Sequence, residues 1–129
     1  MSLTLKIIIS SILLLLLLVA GIYIHRTGKP YNTMVFTVHK LFTVAVVVLL
    51  AIVFVQVFRS AGLSSGQIAI LSVMILAIVV LMVSGGMMSL DKKQIVMLWL
   101  HRLSTAAFLV CYILFVYRIL SGSFQSISL

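Results

Sequence analysis

The chain has 129 residues, 64% of them hydrophobic and only 8% charged, too few charges to cover the surface of a water-soluble domain of this size. Nine Lys and Arg against a single acid, Asp91, leave a net charge of +8. The bases sit mainly at the ends of apolar runs, where they meet lipid headgroups. They form no basic face with interleaved aromatics, which argues against nucleic-acid binding.

A helix that crosses a bilayer needs about 20 apolar residues. Four segments reach that length, at about 5–24, 33–58, 67–88 and 94–120, and together they predict one transmembrane domain spanning residues 1–129. The runs are continuous rather than alternating, so helices and not barrel strands are expected. The first segment, Lys6 followed by a leucine-rich core, also suits a signal peptide but is read as a retained helix. Residues 25–32 join the first two helices, with Gly28 and Pro30 as breakers; Ser60 to Gly66 join the next two. Residues 89–93 make the last connection, where Ser89 and Asp91 are candidate caps for the fourth helix. Connections this short give antiparallel neighbours, an up-down-up-down bundle. The polar tail from Ser121 to Leu129 is expected to fray. Cys111, alone in an apolar run, excludes an internal disulfide and reads as a small buried hydrophobe; no Cys-x-x-Cys-His is present for covalent haem attachment.

The two halves of the chain resemble each other. His39-Lys40-Leu41-Phe42-Thr43-Val44-Ala45 matches His101-Arg102-Leu103-Ser104-Thr105-Ala106-Ala107 in the pattern His, base, Leu, any residue, Thr, small apolar, Ala. Upstream, Val19-Ala20-Gly21 matches Val83-Ser84-Gly85; downstream, Arg59 and Arg118 close their helices. Each half holds two spans, so the repeat is parallel, related by an axis along the membrane normal. Apolar composition alone does not account for a paired His-base-Leu-x-Thr at equal depth.

Ionisable residues within a membrane are costly and are functional candidates by default. His39 and His101 lie about two turns into helices two and four. In a square of four helices these two face each other across a diagonal of roughly 12–14 Å. That gap suits a haem standing edge-on, with one imidazole reaching the iron from each side and each ring's other N–H donated to a carbonyl or hydroxyl. Thr43 and Thr105, one turn on, are candidate donors to that arrangement or simple helix back-bonders. Lys40 and Arg102 should lean back toward the surface where their helices begin, available to haem propionates or to ordinary headgroups. Gly21 and Gly85 could leave room for a macrocycle's edge, or serve close helix packing. His25 has no counterpart in the second half and reads as interfacial. Met34, Met87, Met88 and Met97 read as packing residues, and Trp99, Tyr23, Tyr31, Tyr112 and Tyr117 as an aromatic belt.

On His39 and His101 with their adjacent bases, the chain loosely resembles the b-type membrane cytochromes built on four-helix bundles, including cytochrome subunits of bacterial respiratory oxidoreductases. The resemblance implies a non-covalent haem b, electron transfer, and a prokaryotic cytoplasmic membrane, with a quinone or a redox protein as partner. Many such cytochromes carry four ligating histidines. Here the later halves of helices two and four hold none, so one haem is expected.

Two other readings compete. A small proton-coupled carrier would want a membrane-embedded acid, and Asp91 lies in a loop. A cofactor-free subunit of a larger membrane complex, or a homo-oligomer, fits the small extramembrane mass but leaves the histidine pair unexplained. There is no nucleophile triad, carboxylate pair or phosphate loop for hydrolysis. The count of bases places loops 25–32 and 89–93 in the cytoplasm by the positive-inside rule.

Overall fold

The computed structural model describes residues 2–61, 64–90 and 94–125. It contains α1 (Leu3–Thr27), α2 (Thr33–Ala61), α3 (Ser65–Ser89) and α4 (Gln94–Gln125), with no strand among the described residues. All four helices are long and apolar enough to cross a bilayer. The protein is of the all-α integral membrane class.

Local chemistry sets the helix ends. Ser2 Oγ accepts from the Leu5 N–H at 3.2 Å and opens α1. Asn32 Oδ1 accepts from Met34 and Val35 at 3.0 and 3.2 Å and does the same for α2. Ser64 and Gln67 form a reciprocal capping box at the start of α3, satisfying two backbone donors that the first turn would otherwise leave without partners. α1 runs three residues past its expected end, carrying His25, Arg26 and Thr27 in helix rather than loop. It stops at Gly28, whose φ of 66° needs a residue without Cβ and whose N–H donates to the Ile24 carbonyl at 3.2 Å.

Two expectations are corrected. Ser89 does not cap α4: it closes α3, donating its hydroxyl to the Gly86 carbonyl at 2.6 Å. Its proposed companion Asp91, with Lys92 and Lys93, lies outside the described residues. The segment 121–125 is helical instead of frayed, and the Ser121 hydroxyl bonds back to the Arg118 carbonyl at 3.2 Å. Residues 126–129 of the expected tail are outside the described residues.

The chain divides into two compact units, Met1–Gly62 and Leu63–Leu129. Each is an antiparallel helical hairpin, α1 packed on α2 in the first and α3 on α4 in the second. In the first, Lys6 near the start of α1 donates to Gln56 Oε1 late in α2, and Gly21 late in α1 meets His39 early in α2. The second follows the same plan. Gly66 lies against the Arg118 guanidinium, and Gly85 against His101.

The duplication extends to burial. The buried stripe of α2 is Val46, Leu50, Val53 and Val57; that of α4 is Phe108, Tyr112, Phe115 and Ile119. Each member of the second set stands 62 residues after its counterpart, the same interval that separates His39 from His101. Spacings of three and four keep each stripe on one helix face. Tyr112 therefore belongs to the interior, not to the aromatic belt; Trp99, Tyr23 and Tyr117 are exposed, as is Met34, which does not pack. The outward faces carry large apolar residues such as Leu15, Val19, Leu76 and Ile113, surfaces that suit lipid and not water.

Lipid is as apolar as these side chains, so the hairpins are held by van der Waals packing and interhelical hydrogen bonds rather than by expulsion of water. Gln56→Leu removes the acceptor for Lys6. It should destabilise the first hairpin by about 0.6 kcal/mol and at most about 1.7, the range for such bonds in membranes, read from unfolding in mixed micelles.

Candidate functional site

Where α1 meets the start of α2, and where α3 meets the start of α4, each hairpin places one histidine of the repeat against the other helix. His39 is the seventh residue of α2 and His101 the eighth of α4, and both are half-buried. In each hairpin the imidazole lies over a glycine of the partner helix. A Cβ on Gly21 would stand 3.3 Å from His39 Cε1 and 3.9 Å from Nδ1; a Cβ on Gly85 would stand 3.5 and 3.8 Å from the same atoms of His101. The two rings present the same edge, Cε1 and Nδ1, to the neighbouring backbone. The space over each glycine is thus filled by a histidine of the same hairpin, a close-packing role for a small residue.

The hydrogen bonding of the two rings differs. His101 Nδ1 is 3.0 Å from Ser84 Oγ, and that hydroxyl is 2.6 Å from the Val80 carbonyl and 3.3 Å from that of Leu81. Ser84 is buried. In the first hairpin the matching position is Ala20, which has no hydroxyl. The His39 ring meets the backbone of Leu17, but its Nδ1 is shut away from solvent with no hydrogen bond. Leaving such a nitrogen without a partner costs about 1–3 kcal/mol. The sequence repeat contained this difference in Val19-Ala20-Gly21 against Val83-Ser84-Gly85. Ser84 was nevertheless missed as a site residue; the signal was a lone hydroxyl beside the glycine in an apolar run.

The surrounding residues repeat faithfully. Thr43 and Thr105 donate their hydroxyls to the His39 and His101 carbonyls, at 2.8 and 2.7 Å. They are back-bonders within their own helices and hold the backbone beneath each histidine. Lys40 leans back over the Phe36 ring, its Nζ 4.2 Å from the centroid, and the Arg102 guanidinium lies 6.0 Å from the centre of Trp99. Both bases point toward the beginnings of their helices, the direction in which helical side chains slant, and the aromatic faces attract them. His25 is exposed at the end of α1, and Cys111 is a half-buried free thiol. Among the described residues no three of His, Cys, Asp or Glu come together as a metal cluster.

A histidine that donates from Nδ1 keeps its lone pair on Nε2, the form in which imidazole ligates a metal. What the fold defines here is a membrane-spanning pair of helical hairpins, each presenting one histidine from the early turns of its second helix. The chain matches no protein-family model, no curated protein and no solved structure.

Proposed function

We propose that this protein binds one haem b, with His39 and His101 as axial ligands, one from each hairpin, and that it serves electron transfer in the membrane. The observation that carries the reading is the duplication itself. Two histidines with the same ring edge against a glycine, a threonine one turn on and a base beside each call for a function that needs two imidazoles at matched positions. Two imidazoles on one iron is such a function. The donor chemistry fits the group. The Ser84 hydroxyl occupies His101 Nδ1, which directs ligation to Nε2. Lys40 and Arg102, aimed toward the starts of their helices, would pair with the propionates, and no acid within the spans competes for them.

When bound, the haem supplies an iron that cycles between ferric and ferrous states, at a potential set by its ligands, burial and neighbouring charge. In that state the Ser84 hydroxyl would orient the His101 ring, and Lys40 and Arg102 would neutralise the propionates. A quinone or a redox protein would exchange the electron. Loops 25–32 and 89–93 would face the cytoplasm.

The test is a visible spectrum of the detergent-purified full chain, expressed with ample haem, air-oxidised and then reduced with dithionite. Sharp α and β bands on reduction are expected. A featureless spectrum, with no haem in the extracted pigment, would overturn the reading and leave a cofactor-free membrane subunit in its place.

A further inference from the structure

The two histidines of the repeat are matched in position but not in what holds their rings. The Ser84 hydroxyl carries one hydrogen. Val80 and Leu81 offer it carbonyls, which can only accept, and its shortest contact, 2.6 Å, is to Val80. Thr43 and Thr105 place their hydroxyl hydrogens in the same way, on the carbonyl four residues back. With its hydrogen committed to Val80, Ser84 Oγ can only accept from His101 Nδ1 at 3.0 Å. Neutral His101 is then protonated on Nδ1 and carries its lone pair on Nε2. Gly85 allows the approach, since the ring edge passes where a larger side chain on α3 would stand. His39 has the same approach over Gly21, but Ala20 provides no oxygen and its Nδ1 stays without a hydrogen bond.

We infer that Ser84 is the positioning residue of the pair. It locks His101 in the tautomer whose Nε2 accepts, and its absence at Ala20 leaves His39 the adjustable member. The tautomer follows from the hydrogen bonds alone; its use in ligation rests on the haem reading above. On that reading His101 is the permanent ligand. His39, with no side-chain hydroxyl beside its ring and only the Leu17 backbone to meet it, would be the ligand that an external molecule such as carbon monoxide displaces more readily.

The experiment uses the full chain, labelled with ¹⁵N-histidine, in haem-free micelles, with resonances assigned by single His→Ala variants. The expected spectrum shows His101 as one tautomer, protonated at Nδ1 and unprotonated at Nε2. Ser84→Ala should convert it to a mixture, Ser84→Thr should retain the single form, and Ala20→Ser should impose that form on His39. In haem-loaded protein, Ser84→Ala should weaken haem retention about 10–100-fold, the usual loss when a ligand's outer partner is removed. Ala20→Ser should reduce carbon monoxide affinity. A His101 tautomer that is already mixed, or that Ser84→Ala leaves unchanged, would overturn the inference whatever the haem result. Tautomers that respond as stated in a chain that never takes up haem would retain Ser84's role and overturn the haem reading instead.

Discussion

His101→Ala is expected to abolish the sharp reduced α and β bands and to strip most of the haem from the purified protein. His39→Ala should abolish the same bands while retaining pigment as a five-coordinate, high-spin form. Loss of the bands in both variants follows from the proposed bis-imidazole ligation, since either deletion would leave the iron one ligand short. The difference in retention follows from Ser84. A ring oriented by a hydrogen bond loses less freedom on ligation, so in the proposed complex more of the binding free energy would reside on the His101 side. Haem content by extraction and coordination state by the visible spectrum measure the two effects separately. Should both variants keep the wild-type bands, neither histidine is a ligand. Their duplication would then need another cause, such as paired interhelical contacts.

The second large effect is steric. Leucine at Gly21 or Gly85 would drive a branched side chain into the imidazole that already fills the space, and each substitution should split its hairpin at that level and displace the histidine. The alanine variants separate the two positions. At Gly85 the new Cβ would stand 3.5 Å from His101 Cε1, an ordinary contact, so Gly85→Ala should stabilise the hairpin by up to roughly 1 kcal/mol, the helix gain of alanine over glycine. At Gly21 the distance is 3.3 Å, and the His39 ring must shift by a few tenths of an ångström. A cost of about 1–3 kcal/mol is typical of such overpacking, offset in part by the roughly 1 kcal/mol that alanine gains over glycine in a helix. Unfolding of the four variants in mixed micelles checks the ranking. A Gly21→Ala variant as stable as Gly85→Ala would mean that the His39 ring has room to move.

The identity of the elements lay in local order along the chain. Four apolar runs of membrane length determine four helices, because a chain in lipid must satisfy its backbone internally. Gly28 and the Ser64–Gln67 pair mark ends by rules that act within one turn. The paired His-base-Leu-x-Thr was equally legible, since a repeat is a property of the string. The threonine back-bonds and the backward lean of Lys40 and Arg102 follow from helix geometry alone. Helix ends drifted where composition misled: polar Ser121 looked like a tail, yet its hydroxyl bonds back into α4.

The tertiary structure decided which side chain meets which. Gly21 and Gly85 had two readings, space for a ligand or close packing, and only the register of α1 on α2 and of α3 on α4 shows a histidine ring over each. That register is a contact across two helices, so no local pattern encodes it. The same holds for Ser84. In the string it is one serine among apolar neighbours, while in the folded hairpin it is the hydrogen-bond partner of His101. Its counterpart Ala20 leaves His39 Nδ1 buried without a hydrogen bond. Two halves that look alike residue by residue therefore hold their histidines differently, because a hydrogen bond depends on a hydroxyl within about 3 Å and only helix packing sets that distance.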